Sequence, residues 1–178
     1  CKRALLQIGV FPIRNHYYEP QFDFRQRRRN WNDDRNLPGI DWNVPGQLKM
    51  LGSLVFSHEL AHTPRDKQEA LGFYLDNGTF ESGDAECWYQ IIRAMKPKRI
   101  IEIGSGNSTL MAVEAIRMNT RDDSNYNCDH ICIEPYEKPW LDRMGIQLVR
   151  KKVEDIEVSF FSRLKANDIL FIDSSHII

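Results

Sequence analysis

The chain has 178 residues, 42% of them hydrophobic and 11% aromatic, enough to bury one core with at most a small appendage. Lys and Arg total 24 against 25 Asp and Glu, a net charge of −1, and without a basic surplus on some face nucleic acid is not an expected partner. No apolar run reaches the length of a membrane-spanning helix and no secretory signal is visible, so a membrane is not expected either.

Residues 1–45 are rich in Arg, Asn, Asp, Pro and aromatics and read as an irregular extension. The run containing Arg25, Arg27, Arg28 and Arg29 reads as a solvated loop, since no aromatic ladder or glycine-rich turn accompanies it. The start at Cys1 rather than a methionine reads as a missing beginning. Leu48, Leu51, Val55 and Leu60 fall near helical spacing and predict a helix over residues 46–62, stopped by Pro64. A loop follows to about Gly83. Residues 84–95 place Cys87, Trp88, Ile91, Ile92 and Met95 on one helical face, ending before Pro97.

From Arg99 the texture changes. Residues 100–103 form a short apolar strand closed by Gly104, and residues 108–118 a helix with Leu110, Val113, Ala115 and Ile116 on its apolar side. A polar insert over 119–129 leads into a second strand at 131–134. A short helix is predicted at 135–144, a third strand at 146–149, a helix at 155–164 and a fourth strand at 168–173. Strands alternating with helices at this pitch predict a parallel α/β sheet. The division is therefore a cap over residues 1–82 and a ligand-binding domain over 83–178. The cysteines at 1, 87, 128 and 132 have no C-x-x-C spacing and read as reduced thiols of a cytoplasmic protein.

In an open parallel sheet, ligands bind beyond the carboxyl ends of the strands where the strand order reverses. Three features fall at such ends. Gly104 permits a sharp turn out of the first strand, Gly106 admits a close ligand, and Ser108 is placed to cap a helix whose amino end suits a carboxylate. Glu134 ends the second strand, where a carboxylate can accept both hydroxyls of a ribose. Asp173 ends the fourth, followed by Ser174, Ser175 and His176. A dinucleotide site would want a third glycine where Thr109 stands.

The stretch from Lys98 through Glu102, Gly104, Ser105, Gly106 and Ser108 to Thr109 resembles motif I of class I S-adenosylmethionine (SAM)-dependent methyltransferases. Residues 168–176 resemble a bacterial branch of methyltransferase family 24, as do residues 74–78 and 83–86 and, more loosely, 16–20 and 38–41. The resemblance implies a Rossmann-like class I methyltransferase sheet under an N-terminal helical and irregular cap, with further strands beyond Ile178. It implies SAM as cofactor and an O- or N-nucleophile of a small molecule or glycan as acceptor. A second copy of the chain is a candidate partner.

Residue by residue, the resemblance implies that Glu102 orients the methionine amino group, that Gly104, Ser105, Gly106 and Ser108 line the cofactor, and that Glu134 holds the ribose. It assigns the adenine to Asp155 and the neighbourhood of the sulfonium to Asp173. His176 is the candidate general base, because imidazole titrates near neutrality. No metal is assigned to Asp173, since a hard cation needs several oxygen ligands. The chain departs from the pattern in its long insert, which stretches the distance from Gly106 to Glu134 to 28 positions against about 20 in dinucleotide-type motifs. His16, Tyr17 and Tyr18 are candidate substrate contacts.

Two other readings stand beside this one. The first is a SAM- or nucleotide-binding module without catalysis. The second rests on His58, Glu59 and His62, which fit the H-E-x-x-H zinc-protease signature. Pro64 stops that helix and no third ligand follows in pattern, so a polar helix face over a buried Leu60 is the expected role.

Overall fold

The computed structural model describes residues 2–10, 12, 38–136 and 138–174. The regular elements are α1 (Lys2–Gln7), α2 (Val44–Ser53), α3 (Asp84–Met95), β1 (Arg99–Ile103), α4 (Asn107–Asp122), β2 (Asp129–Ile133), β3 (Gln147–Val149) and β4 (Ile169–Ile172). Val44–Ser174 form one compact unit, and Cys1–Asn43 with Ser175–Ile178 the other. In the latter, α1 is a six-residue helix, and the Asn43 amide donates to the Asp41 carboxylate at 2.9 Å.

The four strands are all parallel and lie in the order β3-β2-β1-β4. This is the α/β sheet that the alternation predicts, and its order reverses between β1 and β4. From their second residues onward β1 and β2 are buried throughout, as central parallel strands covered on both faces must be.

Side-chain alternation divides the core between the two faces. Ile100, Ile169 and Phe171 face α3 and α4, where they pack with Trp88, Tyr89, Ile92, Met111 and Ala115. Trp88 stacks on Phe171 with ring centroids 4.3 Å apart. Ile101, Ile103, Ile131 and Ile133 face the other way, against Val153, Ile156, Phe160 and Phe161.

Helices α3 and α4 match their predicted positions, α4 running on to Asp122. Three other predicted helices do not form as such. Residues 46–62 divide into α2 and a separate 3-10 turn at Ser57–Leu60. The Ser53 hydroxyl donates to the Met50 carbonyl at 2.7 Å, a side-chain bond that competes with helix continuation. Leu48 and Leu51, the apolar residues behind that prediction, are exposed. Residues 135–144 and 155–164 contain only 3-10 turns, at Pro139–Arg143, Val153–Asp155 and Val158–Arg163. Segments this short do not recover the cost of nucleating an α-helix unaided. Among the described residues no helix is long and apolar enough to cross a membrane.

Residues 44–82, assigned to the cap on composition, are joined to the sheet unit by a buried charge. Arg93 on α3 is 1% exposed. Its Nε and Nη2 donate to the two oxygens of Glu59 at 2.8 Å each, Nη2 also donates to Asp122 at 2.5 Å, and Nη1 donates to the Asn119 side chain. The Tyr89 hydroxyl adds a 2.6 Å bond to Glu59. Bonding to Arg93, against the opposing effect of burial and with help from Tyr89, holds the Glu59 carboxyl down from 4.5 to about 2.

Two outcomes follow from this clamp. Arg93→Met strands Glu59 and Asn119 without their cation and is expected to cost about 3–5 kcal/mol in urea melts. Because the folded pKa of Glu59 is depressed, its stabilisation is complete above pH 4.5 and drains away as pH falls toward 2. Glu59→Gln should flatten that part of the acid stability curve, and an unchanged acid limb would contradict the assignment.

Candidate functional site

The carboxyl ends of β1, β2 and β4 converge on one turn. The ladder runs one residue past each strand: Gly104 N–H donates to Ile133 O at 3.1 Å and Asp173 N–H to Ile103 O at 3.0 Å. Gly104 has φ +83°, and a Cβ placed there would stand 2.0 Å from the Asp173 carbonyl oxygen. The backbone leaving β4 thus fills the space a side chain would need, which only glycine allows. Gly106 differs. Its backbone is extended, and what a Cβ would meet is the Lys138 ammonium at 3.2 Å.

Gly106 is also the residue from which α4 springs, so Ser108 does not cap the helix as predicted. The helix starts at Asn107, and the Gly106 N–H donates to Thr109 Oγ1 at 3.0 Å. Ser108 turns inward and donates to Glu102 Oε1 at 2.6 Å, joined there by the Thr109 hydroxyl at 3.0 Å. Glu102 Oε2 meets His130 Nε2 at 2.8 Å and the Cys132 thiol at 3.4 Å. Glu102 is 0% exposed. The residue to which the resemblance assigns the methionine amino group thus bonds to the turn from beneath, since alternation along β1 points it at α4.

Glu134 follows β2 directly, beside the turn. Its Oε2 accepts the Ser105 amide at 3.1 Å and its Oε1 the Tyr136 amide at 2.9 Å. Lys138 lies over the same place, donating to the Ser105 carbonyl at 2.5 Å with its Nζ 3.9 Å from Glu134 Oε2. Arg150 fastens this loop by donating to Tyr136 O at 2.5 Å and to Asp142 at 3.1 Å. Glu134 is in consequence buried.

Asp173 stands half-buried at the end of β4. Asp155 is exposed at the end of a 3-10 turn whose neighbours Val153 and Ile156 pack on the far face of the sheet. His176 lies outside the described residues, as do His16, Tyr17, Tyr18 and the arginine run at 25–29.

Several residues around the turn carry no sequence motif. Asn107 donates to Asn77 at 2.8 Å and to Thr79 at 2.7 Å, tying the first residue of α4 to the loop before α3. His130 and Cys132 share a face of β2, which period-two spacing shows, but only the register with β1 reveals that this face meets Glu102. Lys138 had no signal beyond its charge.

The H-E-x-x-H segment does not form a zinc site. His58 and Glu59 lie on a 3-10 turn rather than an α-helix, and the turn ends at Leu60, before His62, so the two histidines share no α-helical face. Both imidazoles are exposed, and Glu59 is committed to Arg93. A concavity of about 410 Å³ lined by Asn127, Asp129, His130, Gly145 and Gln147 opens at the amino ends of β2 and β3, the opposite end of the sheet from the turn. Its one carboxylate, Asp129, is occupied by Arg99 and Gln147. Cys87, Cys128 and Cys132 are free thiols. Burial pushes Cys128 up to about 11, and burial reinforced by Glu102 pushes Cys132 up further.

Gly104→Ala is expected to cost about 4 kcal/mol or more, since neither the positive φ nor the Asp173 backbone leaves room for a methyl group. Gly106→Ala asks only that a lysine side chain shift. Equal thermal shifts for the two variants would refute this account of the turn.

An uncharacterized protein of Archaeoglobus fulgidus is 33% identical over 179 residues, covering 92% of this chain and 78% of its own length. No family model matches the chain, and no solved structure matches it.

Proposed function

We propose, for a chain that belongs to one family with the Archaeoglobus fulgidus protein, that it binds SAM and transfers its methyl group to an O- or N-nucleophile of a small-molecule or glycan acceptor. One observation carries the reading: at the point where the strand order reverses, the carboxylate ending β2 touches the glycine turn ending β1, through Glu134 and the Ser105 amide. Open parallel sheets bind ligands at such a point, and an acid there suits a ribose diol. The Rossmann-like sheet order supports the same reading, as does the resemblance of residues 98–109 to motif I.

The donor set fits SAM in kind. Glu134 would accept the ribose hydroxyls, while Gly104, Ser105 and Gly106 would present backbone to the methionine portion. For Glu134 to do so, the Tyr136 amide and Lys138 must withdraw, so binding should displace residues 135–138. When bound, the sulfonium supplies an electrophilic methyl carbon. Asp173, at the end of β4, would flank it, and the protein's contribution is alignment of the nucleophile and a polar surround for the shifting charge. The proton released by the nucleophile needs an acceptor, for which His176 is the candidate. Asp155 is proposed for the adenine, beyond the end of β3.

Calorimetry on the full chain tests this. SAM and its demethylated product should both bind at micromolar levels, and Glu134→Ala should abolish both heats while circular dichroism confirms that the variant is folded. Failure of wild type to bind either compound would overturn the proposal. With binding established, acceptor screens should show that Asp173→Ala lowers turnover more than affinity.

A further inference from the structure

On the α3–α4 face of the sheet, beneath the turn, three buried side chains able to ligate a metal lie close together. Cys132 and His130 project from one face of β2, and the parallel register sets Cys132 beside Glu102. His130 Nε2 is 2.8 Å from Glu102 Oε2, and Cys132 Sγ is 3.4 Å from each of those two atoms. All three side chains are buried. No other three metal-ligating side chains converge in this way among the described residues.

The separations have the dimensions of a coordination site. Three atoms so spaced lie on a circle of about 1.9 Å radius, and a point about 1 Å above their plane is about 2.1 Å from each. Zinc bonds to carboxylate oxygen, imidazole nitrogen and thiolate sulfur fall at about 2.0–2.3 Å. Ser105, in the glycine turn directly above, carries a further hydroxyl. That hydroxyl is buried without a hydrogen-bond partner.

Charge points the same way. Glu102 is fully buried, and the basic group paired with it is the imidazole of His130, not a lysine or arginine. A carboxylate, a thiolate and a neutral imidazole together balance a dication, which removes the penalty of an isolated buried charge. His130 Nδ1 has no partner, so the ring proton can reside there and free the Nε2 lone pair.

We propose that Glu102, His130 and Cys132 form a buried site for one thiophilic divalent cation, zinc by donor set and dimensions. The cation would pin β1, β2 and the glycine turn together from below. Loading displaces the thiol proton of Cys132 to solvent and changes no oxidation state.

The test is to purify the full chain, load it with Zn2+ or Co2+, and measure metal retained after gel filtration. Wild type should keep one equivalent, and the cobalt form should show a thiolate-to-cobalt charge-transfer band in the near ultraviolet. Cys132→Ser, close in size, should lose that band and bind about a hundredfold more weakly, with circular dichroism confirming its fold. His130→Gln should weaken binding but keep the band. His58→Ala combined with His62→Ala should change neither. Absence of equimolar metal in wild type would overturn the proposal, and so would a charge-transfer band that survives Cys132→Ser.

Discussion

The contact between Gly104 and the backbone of Asp173 governs how this sheet can be assembled. The chain leaves β1, builds β2 and β3 on one side, then returns to place β4 on the other. For β4 to pair with β1 to its last residue, its carbonyl must occupy the volume of a side chain at position 104. That closeness draws three strand ends together and leaves the turn nowhere to go but upward into α4. The amino end of α4 and the carboxyl end of β2 become neighbours as a result. The candidate site is thus a consequence of sheet closure before any ligand is considered.

Buried charge then fixes what surrounds the turn. Glu102 and Arg93 sit on the same side of the sheet, each almost wholly out of water, where an unpaired charge would cost several kcal/mol. Each is surrounded by polar groups from several elements. Arg93 draws in Glu59, Asn119 and Asp122 and thereby fastens residues 57–60 to α3 and α4. Glu102 draws in Ser108, Thr109, His130 and Cys132 and so fastens the start of α4 to two strands. Apolar contact alone would let α4 slide along the sheet. The directional bonds of Glu102 specify where its first turn must stand, and with it the orientation of the amides above.

The sheet was readable in the sequence because short apolar runs and glycine punctuation are local signals. Ile100, Ile101 and Ile103 with Ile131 and Ile133 announce two central strands, and Trp88, Ile92 and Leu110 announce the helices over one face. What failed was local as well: α2 ends early and residues 135–144 and 155–164 wind only into 3-10 turns, because no long apolar stripe supports an α-helix there. The site was legible in outline, as Gly104, Glu134 and Asp173 do stand at successive strand ends. The contacts of Glu102 were less so, since His130 and Cys132 lie 28 and 30 positions away and become its neighbours only through strand register. The H-E-x-x-H spacing, set aside on the sequence for want of a third ligand, falls on a segment that winds into a 3-10 turn with its glutamate bound to an arginine.

The state of the loop after Glu134 bears on how the site can work. Tyr136, Lys138 and Arg150 form a self-contained set of bonds that satisfies Glu134 without a ligand. A ligand that needs both carboxylate oxygens must replace an amide bond and part an ammonium from a carbonyl. The observed affinity is then the intrinsic one reduced by the fraction of molecules in which the loop is open. Lys138 sets a positive charge 3.9 Å from the Glu134 carboxylate in the closed loop. Such self-satisfaction gives a buried carboxylate its hydrogen bonds within the chain, so a ligand must offer at least as many donors to displace them.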